Sequence, residues 1–148
     1  MNKINYTTLL ASALCCFALS ASAQDSLLSL TGSSEFTGLS NEAVAAMNPM
    51  ELSMAKKSVT LTVNVASSSG IAKIAVMLGN SKGSNDIFYK EFDLGDTGNF
   101  DDGTFYHNSG GNLVFGIGTF RGASEYHAEV FAIMENGTRS KSARYVIQ

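Results

Sequence analysis

Tyr126-His127-Ala128-Glu129-Val130-Phe131-Ala132-Ile133-Met134-Glu135-Asn136-Gly137 alternates in side-chain character for ten residues and then stops at a turn dipeptide. Tyr126, Ala128, Val130, Ala132 and Met134 make one set; His127, Glu129, Phe131, Ile133 and Glu135 make the other. A period of two is that of a β-strand, so the first set is assigned to a core and the second to solvent. Asn136-Gly137 fits the two positive-φ positions of a type I′ turn, and Ser142 to Ile147 reads as the strand that returns along the first.

Upstream, the same period recurs. Val59, Leu61, Val63 and Val65 alternate with Thr60, Thr62 and Asn64, the signature of a half-buried strand. Ala66 to Gly70 is a loop. Ile71 to Leu78 is a second strand, with Ile74, Val76 and Leu78 on one face and Ala75 and Met77 on the other. After a polar break, Asp86 to Phe92 places Phe88, Lys90 and Phe92 together. A long Gly-rich loop is predicted from Asp93 to about Asn112, and Leu113 to Phe120 follows as a strand containing Gly116 and Gly118. Six to seven short strands with almost no helical periodicity describe an all-β fold, an antiparallel β-sandwich.

From Ser58 to Gln148 the chain resembles an immunoglobulin-like or fibronectin type III-like sandwich. The residues that carry the resemblance are Tyr126 to Ala132, Asn136-Gly137, and Ser140 and Ser142 leading into Tyr145 and Ile147. In such domains a Tyr near the start of the penultimate strand packs at a corner and the residue two further on enters the core. Tyr126 and Ala128 stand at those places, with Gly122 in the loop before them, and Val59 to Leu78 resembles the early inter-sheet pair. The chain departs from the pattern in having no Trp, and no Cys to bridge the sheets. The resemblance implies a fold and carries no activity with it.

The first 23 residues read as a secretory signal peptide: Lys3 in a short basic start, an apolar run from Leu9 to Leu19, and Ala21-Ser22-Ala23 as a cleavage site before Gln24. Cys15 and Cys16 both lie in that run, so the mature chain is expected to have no disulfide, thiolate or cysteine metal ligand. The composition of the leader looks bacterial, and the product is expected in a periplasm or outside the cell. No later apolar run is long enough to span a bilayer as a helix. Losing Lys3 takes the net charge from −3 to −4, and the remaining basic residues are scattered. That excludes the basic footprint of a nucleic-acid binder. The segment 24–57 is rich in Ser, Thr, Gly and Ala. It offers a short strand over Ser26 to Thr31 and a helix over Asn41 to Met47 capped by Ser40, ending before Pro49. Glu51 to Ala55 fits a first sandwich strand equally well.

Residues for chemistry are few. His107 and His127 lack H-x-x-x-H or H-E-x-x-H spacing, and no G-x-S-x-G elbow occurs, so no catalytic constellation is visible and a non-enzymatic role is expected. Asp93, Asp96, Asn99, Asp101 and Asp102, interleaved with Gly95, Gly98 and Gly103, offer the hard oxygens that calcium prefers, although without EF-hand spacing. A solvated turn-rich loop explains the same residues. Phe100, Phe105 and Tyr106 lie in the same loop and are the candidate contact residues, either as an exposed recognition surface or as plugs folded back onto the core. The expectation is a secreted binding or adhesion-type module that contacts a protein or glycan ligand through the 93–112 loop. Two alternatives are a calcium-dependent version of it and a subunit of a surface assembly that uses segment 24–57 for strand addition.

Overall fold

A computed structural model of the protein describes residues 26–109, 111–121 and 125–148. The stretch read as a signal peptide, Cys15 and Cys16 within it, and Gly122 lie outside the described residues. Nine strands and two short helices run in the order β1 (Leu28–Phe36), α1 (Asn41–Ala46), α2 (Pro49–Met54), β2 (Lys56–Val65), β3 (Ile71–Gly79), β4 (Phe88–Asp93), β5 (Gly98–Asn99), β6 (Phe105–Ser109), β7 (Asn112–Arg121), β8 (Tyr126–Met134) and β9 (Ala143–Ile147). They form a sandwich of two antiparallel sheets, one ordered β1-β2-β7-β6-β5 and the other β4-β3-β8-β9. The strand count exceeds the expected six to seven because the long 93–112 loop itself contains β5 and β6, which extend the first sheet.

Alternation drives the core. Val59, Leu61 and Val63 of β2 are fully buried against Ile74, Val76 and Leu78 of β3 and Tyr126, Ala128, Val130 and Ala132 of β8. Each inward set is the one its period of two predicts. The edge where β1 and β9 meet closes because Gly32 has no side chain: a Cβ there would lie 2.8 Å from Leu61 Cδ2 and 3.0 Å from Ile147 Cδ1. The opposite edge is filled by rings. Phe92 lies 5.7 Å from Phe100, 5.0 Å from Tyr106 and 4.9 Å from Phe115, and Tyr106 stacks on Phe115 at 4.7 Å.

Four local expectations are corrected. Residues 51–55 are not a strand: α2 covers them through Met54, because Asn48 caps it and Pro49 sits in its first turn. Asn48 Oδ1 accepts from the backbone N–H groups of Met50 and Glu51, and Glu51 Oε2 accepts from Asn48 N–H, a reciprocal cap. The same pre-proline restriction that ends α1 makes Asn48 an extended N-cap for the next helix. The first strand is longer than Ser26 to Thr31, since β1 continues to Phe36 in unbroken register with β2. The β8–β9 turn is not type I′. Gly137 alone has positive φ there, Gly137 N–H donates to Met134 O and Met134 N–H to Thr138 O, which is a three-residue loop with a glycine bulge. Asn136 instead accepts from Thr138 N–H through its side chain.

The fourth concerns the outward face of β8. Phe131 and Glu129 are buried, at 4 % and 9 % exposure, rather than solvated. Phe131 stands opposite Ala75 and under the Arg139 guanidinium, 4.8 Å from its ring. Glu129 accepts two hydrogen bonds from Arg144, at 2.8 and 3.1 Å. Among the described residues no helix is long and apolar enough to cross a membrane.

Candidate functional site

The outward face of the larger sheet is organised in rows set by strand register. Ser33, Thr60, Gly116, Phe105 and Asn99 stand in one row. Thr31, Thr62, Val114 and His107 stand in the next, and Ser29, Asn64, Asn112 and Ser109 in the third. None of these thirteen positions is Asp, Glu, Lys or Arg. These three rows are rich in hydroxyls and amides, with Asn64 Nδ2 donating to Asn112 Oδ1 at 3.1 Å, and the next row sets exposed Glu35 opposite Ser58. Each hydroxyl both donates and accepts, so the three rows can pair with a ligand of either polarity.

One aromatic patch interrupts them. Phe105 lies over Gly116, where any Cβ would run into its ring atoms Cε1, Cδ1 and Cζ. The missing side chain lets the phenyl group settle onto the backbone of β7. Phe105 and His107, two residues apart on β6, stack with centroids 5.6 Å apart and planes 19° from parallel. Phe105 is half-buried and His107 exposed. Thr60, Thr62 and Val114 border this pair.

Of the three aromatic candidates, Phe105 and Phe100 are half-buried, and Phe105 is the one on the outer rows of the sheet. Tyr106 alternates to the opposite side and is 1 % exposed in the core. Its hydroxyl has no hydrogen-bond partner among the described residues, and burial pushes its pKa up. Tyr106 is therefore corrected from contact residue to core plug. Phe100 also packs partly on the core, with Lys90 Nζ 4.0 Å from its ring centroid. Lys90 Nζ lies 3.4 Å from Asp102 Oδ2 as well, so one cation ties β4 to the β5–β6 turn.

The acidic residues are spread along this loop. Asp96 Oδ2 accepts from Asp93 N–H at 3.0 Å, closing a turn. Asp102 Oδ1 accepts from Thr104 N–H at 2.9 Å, and hydrogen bonds from Thr104, followed by the charge of Lys90, hold its carboxyl below the ordinary range. Asp101 is exposed in the same turn, and Asn99 lies on the outer row beside Phe105. Among the described residues, no group of three or more His, Cys, Asp or Glu is placed to hold a metal ion. Two of the loop's carboxylates, Asp96 and Asp102, serve its own backbone.

A second surface feature lies across the molecule. A groove beside β9 is lined by Lys82, His127, Glu129, Arg144, Tyr145 and Val146. His127 Nε2 is 2.6 Å from Glu125 Oε1. Within the groove, Arg144 is committed to Glu129. Sequence reasoning treated His107 as an isolated loop residue and Thr60, Thr62 and Asn64 as plain solvated positions. The signal that joins them is the period-two register of β2 with β7 and β6, which no single strand displays. Comparison with known proteins brings no match: no family model, curated protein or solved structure is similar to this chain.

Proposed function

We propose that this chain is a secreted, non-catalytic β-sandwich of immunoglobulin-like build that binds a neutral glycan on the outer face of its larger sheet, around Phe105 and His107. The observation that carries this reading is the combination of a stacked aromatic pair with surrounding rows of Ser, Thr and Asn, where none of thirteen registered positions is Asp, Glu, Lys or Arg. A pyranose ring has a C–H face that packs on an aromatic plane and a rim of hydroxyls that donate and accept. A protein partner would more commonly be met by Trp, Tyr or Arg anchors, and none of these stands in the three rows. The patch still belongs to the 93–112 segment, through Asn99, Phe105 and His107.

The strand order supports the immunoglobulin-like build. β1-β2-β7-β6 corresponds to the A-B-E-D sheet of the constant-type sandwich, and β3-β8-β9 to C-F-G, with β4 added beside β3. Tyr126, fully buried at the start of β8, and Ala128, facing the core two residues later, agree with it. Secretion rests on the leader-like first 23 residues. Strand addition by segment 24–57 has less to recommend it, since β1 already pairs with β2 over nine residues.

The test is a printed array of neutral and acidic glycans probed with the wild-type protein and with His107→Ala and Thr62→Val variants of matched stability. Binding to neutral glycans that both variants weaken at least tenfold supports the reading. Binding only to acidic glycans, or binding that neither variant alters, contradicts it.

A further inference from the structure

We propose that Met47, Met50 and Met54 form a thioether site for a soft monovalent metal ion, Cu(I), at the helical tip between β1 and β2. This inference is independent of the glycan reading and concerns the other end of β2.

Three of the five methionines beyond the leader fall within eight residues, Met47-Asn48-Pro49-Met50-Glu51-Leu52-Ser53-Met54. Packing does not account for Met50 and Met54. Neither α1 nor α2 contains a buried residue, and Met50 and Met54 are 78 % and 57 % exposed, the largest exposures among the large hydrophobic residues described. What is informative is that two such side chains stand together on a helix without a buried residue. The other two, Met77 and Met134, are partly buried in the sandwich.

Helix spacing puts two of the thioethers on one face. Met50 and Met54 are four residues apart on α2, so they share one helix face with Cβ atoms about 5–6 Å apart. Met47 is the extended C-cap of α1, half-buried and directly before the Asn48 cap of α2. The tip is held in shape by its own caps: Ser40 Oγ accepts from Ala43 N–H, and Asn48 and Glu51 cap α2 reciprocally. Neither helix has a buried residue, so these caps carry much of its order. Neither helix has a basic residue in its last turn, and Glu42 and Glu51 stand in the first turns, which favours a cation. Lys57, which follows, is drawn away over the rings of Phe36 and Tyr126.

Thioether sulfur is a neutral, polarisable donor. It binds Cu(I) and its congener Ag(I) and discriminates against calcium, magnesium and zinc, which prefer oxygen or nitrogen and thiolate donors. No oxidant or reductant is needed beyond keeping copper in the cuprous state, since binding only replaces solvent ligands with sulfur. The three methionine side chains are flexible enough to close around one ion.

The experiment uses the purified protein with 13C-labelled methionine methyl groups, titrated with Ag(I) as a redox-stable probe. The methyl signals of Met47, Met50 and Met54 are expected to shift at stoichiometric silver, while those of Met77 and Met134 stay in place. A Met50→Leu, Met54→Leu double variant keeps helix propensity and apolar surface, so it separates metal binding from apolar docking. Its affinity for Cu(I), read by competition with bicinchoninate under reducing conditions, should fall at least tenfold. Unchanged affinity in the double variant, or equal shifts at all five methionines, overturns the site.

Discussion

Glu129 and Val130 are neighbours on β8 whose environments differ in kind. Val130 is fully buried in the apolar centre, so Val130→Asp should unfold the domain: an unpaired charge there costs on the order of a domain's whole stability, about 5–15 kcal/mol. Circular dichroism at 25 °C should show loss of the β signal. Glu129 is buried on the opposite face with Arg144, so Glu129→Lys, which alternation alone would place in solvent, should destabilise. The loss is roughly 1–2 kcal/mol, because Arg144 is half-exposed and water screens the clash. The same pair makes stability depend on acid. Hydrogen bonding from Arg144 lowers the Glu129 pKa from 4.5, and Ser84 and Asn80 hold the exposed Asp86 at about 2. A carboxyl whose folded pKa is depressed stabilises above its unfolded pKa and loses that contribution as pH falls through the folded value. Melting temperature should therefore decline from about pH 4.5 downward. Glu129→Gln should flatten the upper part of that decline, and Asp86→Asn the part that extends toward pH 2. At Gly116 the prediction is steric. Gly116→Ala meets the Phe105 ring, and should both cost about 1–3 kcal/mol and displace Phe105 from its place beside His107.

At the scale of elements, the sandwich strands were legible because their inward positions alternate without interruption: β2, β3 and β8 each carry a buried set that the sequence displays directly. Helix α1 was legible from Ser40, and its end from Pro49. What was not legible depended on partners distant in sequence. Residues 105–109 have the glycine, aspartate and asparagine of a loop around them, and become β6 only by pairing with β7. Tyr106 and Phe105 are adjacent, and only that pairing puts one in the core and the other outside. Phe131 and Glu129 looked solvent-facing because a period of two assigns faces without saying which outer face is covered; Ala75, Arg139 and Arg144 cover it. The Asn136-Gly137 dipeptide marked the hairpin correctly but not its turn type, which follows from the bulge at Gly137. The tip helices are a separate case, with stability resting on caps alone. Asn48→Ala should cost α2 about 1 kcal/mol. Hydrogen exchange should speed up at Leu52 and Ala55, whose N–H groups bond within α2 or at its end, and leave β2 and β8 unchanged.

For the whole molecule, two sheets share one core but present opposite chemistry outward. The β4-β3-β8-β9 sheet carries Lys73, Glu91, Glu129 and Arg144, paired with one another across strands. The larger sheet carries three rows without Asp, Glu, Lys or Arg, centred on Phe105 and His107. That asymmetry is the reason for assigning recognition of a neutral ligand to one face. It is tested most directly by titrating 15N-labelled protein with neutral oligosaccharides (gluco-, galacto- and manno-configured hexamers) and following backbone amide shifts. The account predicts shifts clustered at Thr60, Thr62, Val114, Phe105 and His107, with the β4-β3-β8-β9 sheet unmoved. No shift at millimolar sugar, or shifts confined to the groove at His127, Arg144 and Val146, would contradict it.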